Sequence, residues 1–297
     1  MSTTNSDPTF RSYSAQQAKT YATHRVGYDP AIYNTVFDYH VKTDGHFGLL
    51  LDCGCGPGNA TRDMAVSFDH VIGVDAGAAM INEAREIGGK TKSGENIKFE
   101  VSPAESFSQT EGLEPGSVHW FDMNEFWAEA AKVVKPGGTV ALWTRASLFP
   151  HPDTPNYHKV RETMLHFENE VLGPYQVAGN RISRGMYDTL PLPWNVSPPV
   201  KDFPESKYVR HEYDRDGVLS NGKTFFSGAK VNALEEIEGG LATASLVTRW
   251  RAAHPDLVGT DKDCVKTFIR EMRKIMVGKH ELLIGSATVI LLFKKLT

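Results

Sequence analysis

The stretch Asp52-Cys53-Gly54-Cys55-Gly56-Pro57-Gly58 sets a carboxylate and three glycines between an apolar run, Leu49-Leu50-Leu51, and a segment that reads as a helix from Ala60 to Phe68. Glycine lets the backbone turn sharply and come close to a ligand, and the helix start offers free N–H groups. A dinucleotide-type G-x-G-x-x-G turn would need its third glycine at position 59, where Asn59 stands; the spacing here is G-x-G-x-G. The carboxylate in front would repel a pyrophosphate and suits a ligand that carries an ammonium group. A second carboxylate, Asp75, closes the next apolar run, Val71-Ile72-Gly73-Val74, where it can accept hydrogen bonds from a ribose diol. An amino-acid headgroup at one strand end and a ribose at the next together describe S-adenosylmethionine. The competing reading is a purely structural turn.

Other chemistry-bearing residues are weaker. Cys53 and Cys55 form a lone C-x-C, and Cys264 is far off in sequence, so packed thiols are expected rather than a redox pair. The eleven histidines include no H-x-x-x-H or H-E-x-x-H spacing, and no metal site is expected. His119 and Trp120, in His119-Trp120-Phe121-Asp122, fall where a parallel sheet presents its carboxyl edge to ligands, although core packing would also account for them. His119 is the candidate general base if the acceptor is an alcohol. A carboxylate acceptor needs no base but does need cationic clamps. Arg181 and Arg184 are the candidates, with solvated surface arginines as the alternative.

These residues require strands and helices to hold them. Short apolar runs alternate with helical segments from Leu49 to Thr144, the pattern of βαβ units and a parallel sheet. Further expected elements are a helix from Ala78 to Glu86, a strand from Ile97 to Ser102 and a helix capped by Asp122. That helix stops at Lys135-Pro136-Gly137-Gly138, and a strand from Thr139 to Trp143 follows. Residues 146–223 hold nine of the sixteen prolines and many aromatics, and read as a cap layered on the core. Helices are expected over Leu234–Ala253 and Val265–Val277, and a last strand over Gly285–Phe293.

Leu-Asp-Cys-Gly-Cys-Gly-Pro-Gly resembles motif I of class I S-adenosylmethionine-dependent methyltransferases, and Val-Ile-Gly-Val-Asp-Ala-Gly-Ala-Ala-Met-Ile resembles the ribose and adenine motif that follows it. Within that class the chain is most similar to fungal trans-aconitate methyltransferase-like enzymes. The supporting matches are His119–Asp122, Lys135–Thr139, Leu172–Tyr175, and Tyr21-Ala22-Thr23-His24-Arg25 with Tyr28, where Val26 replaces the usual proline. The resemblance implies a Rossmann-like doubly wound α/β fold with a cap insertion, forming one domain. Residues 1–45 would be a helical lid, 46–145 the cofactor core, 146–223 the substrate cap, and 224–297 the C-terminal helices and last strands. It implies that Gly54, Cys55, Gly56, Pro57 and Gly58 contact the methionine part of the cofactor. Asp75 and Ala76 would meet the ribose, Met80 the adenine face, and Ala104 with Glu105 the adenine edge, with Tyr21 and Arg25 closing from the lid.

The implied reaction is methylation of a small molecule, most simply at a carboxylate oxygen, in secondary metabolism. The alternatives are a cofactor-binding but catalytically weak or regulatory relative and, more distantly, a nicotinamide dehydrogenase. With 297 residues, a net charge of −4, 40% hydrophobic residues and three cysteines, the composition suits a cytoplasmic globular enzyme in a reducing compartment. It offers no basic excess for nucleic acid, no secretory leader and no apolar run long enough for a membrane span; oligomeric state is left open. One departure stands out. In the related enzymes a Pro-Gly-Ser turn opens a central apolar strand before His-Trp-Phe-Asp, yet here Val118 alone separates Ser117 from His119. That strand is expected to be missing or truncated, leaving the chain less stable and a poorer catalyst than its relatives.

Overall fold

Positive-φ glycines and helix caps mark the boundaries of the elements that carry the candidate residues. The structure, a computed structural model, describes residues 13–24, 27–102 and 122–296. Arg25, Ala104, Glu105, His119 and Trp120, and the strand slot at Val118–Phe121, lie outside the described residues.

Among the described residues two helices come first, α1 (Ala15–His24) and α2 (Pro30–Lys42). Asp29 caps α2 by accepting from Ala31 N at 2.9 Å, with Pro30 at the first helical position, where its missing N–H costs nothing. Strand β1 (Leu49–Cys53) leads through the glycine turn into α3 (Asn59–Ala65). Strand β2 (His70–Asp75) leads into α4 (Ala78–Ile87), and β3 (Lys98–Val101) follows. The three strands form a parallel sheet in the order β1-β2-β3, with Leu49 opposite His70 and Cys53 opposite Val74. Helix α5 (Met123–Val133) starts as expected, at Asp122, whose side chain accepts from Asn124 N.

A second sheet comprises β4 (Thr139–Pro150), β7 (Glu281–Lys294) and β5 (Val209–Tyr213) in the order β4-β7-β5, with β6 (Lys230–Ala233) antiparallel to β7. Both β4 and β7 outrun their expected lengths. Helix α6 (Tyr157–His166) runs into a π-helical turn, Phe167–Val171, and α7 (Ala178–Arg184) follows. The single helix expected over Leu234–Ala253 is two, α8 (Leu234–Ala242) and α9 (Ser245–Ala253). Thr243 ends the first by donating its hydroxyl to Gly240 O at 2.7 Å, a local bond that competes with helix continuation. Helix α10 (Cys264–Met276) is capped by Asp263.

The chain divides into two units. The first takes residues 1–144, 187–211 and 289–297; the second takes 145–186 and 212–288. Residues 187–211 belong with the first unit because their apolar groups pack there: Trp127 lies 5.5 Å from Phe203 and 4.7 Å from Phe293, and donates its indole N–H to Pro191 O. In the second unit, Phe167 stacks on Phe268 at 4.5 Å in a core with Val247, Trp250 and Met272. Among the described residues no helix is long and apolar enough to cross a membrane.

Candidate functional site

The turn after β1 is built from positive-φ glycines: Gly54 at +72°, Gly56 at +55° and Gly58 at +83°. Gly54 N and Cys55 N both donate to Val74 O, which fastens the turn to β2. Two of the glycines on this side of the sheet answer to packing. A Cβ on Gly58 would meet the Phe99 ring at 2.8 Å, and one on Gly73 would meet the same ring at 2.8 Å. Gly56 differs, since among the described residues a Cβ there would meet nothing within 4 Å. The structural reading of the turn thus accounts for Gly58, while Gly56 borders open space that a ligand can enter.

Two carboxylates flank that space. Asp75 Oδ2 accepts from Gly56 N at 3.0 Å and Oδ1 from Gly77 N at 2.7 Å, so one side chain ties the glycine turn to the start of α4. Asp52 is buried and its Oδ2 accepts the Thr61 hydroxyl at 2.6 Å. Burial pushes the Asp52 carboxyl up to about 6; the charge of Asp75 adds to this and the Thr61 hydrogen bond opposes it. A cation placed beside Asp52 would compensate its lost hydration.

Cys53 and Cys55 are both buried. Burial, reinforced by the charges of Asp52 and Asp75, holds the Cys55 thiol well above its usual range, so it stays protonated. Among the described residues no group of three or more His, Cys, Asp or Glu side chains could hold a metal ion. Pro57 is buried and Ala76 half-buried beside the same turns. Met80, on α4, is buried against Tyr13 and Ala18, with Tyr21 and Ala79 packed around it; Tyr21 meets Tyr13 edge-on at 6.3 Å. Helix α1 therefore brings Tyr21 against the cluster that holds Met80.

Sequence reasoning missed three features of this unit. Thr61 supports Asp52 from nine residues away, and its only sequence signal is a hydroxyl in the first turn of the helix that follows the glycines. Tyr33 donates to Asp63 Oδ2 at 2.8 Å, and burial together with that bond pushes its hydroxyl far above the usual range. Tyr28, Tyr33 and Trp143 form an edge-to-face trio with centroids 5.8–6.4 Å apart.

The predicted acceptor clamps lie in the second unit and already have partners. Arg184 Nε pairs with Glu168 Oε1 at 2.8 Å and Nη2 donates to Asn169 Oδ1 at 2.9 Å. Glu168 also accepts from Ser147 Oγ, and burial raises its carboxyl despite Arg184. Arg181 Nη1 donates to Gln176 O at 2.9 Å.

The open space at Gly56, the buried anion at Asp52 and the paired oxygens of Asp75 fit an amino-acid nucleoside. The comparisons agree. Residues 50–138 match the model of a methyltransferase domain. Methyltransferase cfoB of Aspergillus candidus is 28% identical, with 86% of each chain covered. The O-methyltransferase cnsE of Penicillium expansum is 26% identical over 52% of this chain and 58% of its own. A solved structure from Anaeromyxobacter dehalogenans, described as that of a type II methyltransferase, has the same fold. It covers 91% of this chain and 97% of its own, with a TM-score of 0.61 and 21% identity.

Proposed function

We propose that this chain, a class I S-adenosylmethionine-dependent methyltransferase with fungal methyltransferases among its relatives, methylates a carboxylate oxygen of a small organic acid. The cofactor, when bound, supplies an electrophilic methyl group on a sulfonium. In this reading Gly54 to Gly58 hold its methionine part, Asp52 its ammonium, Asp75 the ribose hydroxyls and Met80 the adenine face. Tyr21 covers from α1, and the proposal extends to Ala76, Arg25, Ala104 and Glu105.

The observation that supports this choice of acceptor is the protonation of two groups near Asp52. Cys55 and Tyr33 are both held in their neutral forms, so neither removes a proton at neutral pH. An acceptor that arrives already ionised needs no base. Transfer to a carboxylate would form the oxygen–carbon bond as the sulfur–carbon bond broke, with S-adenosylhomocysteine as the co-product and no proton released. The protein's tasks are alignment and exclusion of water. Mass spectrometry of the product before and after mild base tests this reading: a methyl ester is hydrolysed. A base-stable ether or N-methyl product overturns it and moves His119 into the role of general base.

A further inference from the structure

Tyr28, Tyr33 and Trp143 meet pairwise at 82°, 84° and 89°, with centroids 5.8–6.4 Å apart. Stacked rings cover each other's faces, whereas an edge-to-face contact uses the face of one ring only. The three contacts therefore engage half of the trio's faces, and the rings stand as walls of a corner. The corner is held firmly. Tyr33 is buried, and its hydroxyl donates to Asp63 Oδ2 at 2.8 Å and also bonds the Tyr28 backbone. Trp143 is buried too, and its carbonyl accepts the Tyr187 hydroxyl at 3.0 Å. Tyr28 alone of the three is only half-buried, so its ring is the one a ligand can reach.

This corner adjoins the cofactor cradle. Asp52 and Trp143 line one cavity of about 50 Å³, and the charge of Asp52 reaches the Tyr33 hydroxyl. In S-adenosylmethionine only three carbons separate the ammonium nitrogen, assigned above to Asp52, from the sulfur. The sulfur therefore falls at the same end of the cradle. The two carboxylates do not read it, because ammonium and ribose are the same in S-adenosylmethionine and in S-adenosylhomocysteine. The two molecules differ at sulfur, a sulfonium cation in one and a neutral thioether in the other. A sulfonium has no N–H or O–H to donate, so hydrogen-bond acceptors hold it poorly. The negative face of an aromatic ring attracts a cation without needing a donor.

We propose that Tyr28, backed by Tyr33 and Trp143, receives the sulfonium and makes this protein prefer the methyl donor to its demethylated product. The inference rests on the cofactor placement above and is independent of the acceptor. Methyl transfer removes the charge that the rings hold, so the spent cofactor leaves more readily than the fresh one.

Calorimetric titration of the full chain with S-adenosylmethionine and, separately, with S-adenosylhomocysteine tests this. The unmodified chain is expected to bind the donor about three- to thirtyfold more tightly than the product, the range of one cation–π contact. Tyr28→Leu should bring that ratio near one by weakening the donor alone, while Tyr28→Phe, which keeps the ring, preserves it. A ratio near one in the unmodified chain, or a ratio that Tyr28→Leu leaves unchanged, overturns the proposal. An equal loss of both ligands in Tyr28→Leu overturns it as well, since the ring would then fill space without reading charge. Gly56→Val checks the premise separately: if that variant stays folded and binds both ligands normally, the cofactor placement itself falls.

Discussion

Thr61 reaches back from the first turn of α3 to hold Asp52 Oδ2 at 2.6 Å, and both residues are buried. The hydroxyl favours the ionised carboxylate, but burial outweighs it and leaves Asp52 at about 6. Ionised Asp52 is the form that attracts an ammonium group. Affinity for S-adenosylhomocysteine is therefore expected to fall as pH drops through about 6, and Asp52→Asn should weaken binding and flatten the profile. Calorimetric titration from pH 8 to pH 5 checks both; a wild-type profile without an inflection removes Asp52 from the site.

Without ligand, the same carboxylate acts against the fold. Its folded-state pKa lies above the ordinary value of 3.8, so the unfolded chain gives up a proton that the folded chain keeps. Stability thus falls as pH rises from about 4 to 6, by roughly 3 kcal/mol in all. Asp52→Asn, which retains an acceptor for Thr61, is expected to raise the ligand-free Tm at pH 7.5. Thr61→Val should lower it, since it leaves the buried carboxylate unpartnered at a cost of about 1–3 kcal/mol. Thermal scans across pH separate the two.

Gly56 and Gly58 should fail in different ways. Gly56→Val adds a side chain to open space and is expected to leave a folded protein that no longer binds S-adenosylhomocysteine. Gly58→Ala drives a Cβ into Phe99 at 2.8 Å and Arg62 Nη1 at 2.9 Å, and should chiefly lower Tm. Melting curves read beside binding isotherms distinguish these outcomes. Normal affinity in folded Gly56→Val would show that the cofactor lies elsewhere.

Arg184 and Arg181 also divide. Removing Arg184 leaves Glu168 without its ion-pair partner in a partly buried setting, and Arg184→Ala is expected to cost about 2–4 kcal/mol of stability. Among the described residues Arg181 bonds only a backbone carbonyl at the surface, so Arg181→Ala should leave Tm unchanged. If Arg181 clamps the acceptor, its variant raises the acceptor's KM and spares cofactor affinity.

The cofactor side was legible in the sequence because its determinants are local. The glycine spacing, the carboxylates ending β1 and β2, and Asp122 as a helix cap each depend on neighbours within a few residues. What escaped is set by distance along the chain. Glu168 claims Arg184 from sixteen residues away, and Thr61 claims Asp52 from nine. Residues 187–211 return to the first unit through Trp127 and Phe293, which no periodicity reveals. The break at Thr243 was hidden because the apolar pattern runs through it.

Asp75 spans two turns at once, with one oxygen on Gly56 N and the other on Gly77 N. The cradle is therefore shaped before any ligand arrives, and a ligand entering it has little backbone left to order. Asp75→Ala removes a ribose acceptor and also releases both turns. The loss of affinity, about 1.5–3 kcal/mol on the scale of hydrogen bonds to a charged group, should accordingly carry a less favourable binding entropy and a slower association rate, not only a faster release. Stopped-flow binding resolves the two: a loss confined to dissociation would mean that Asp75 touches the ligand without shaping its cradle.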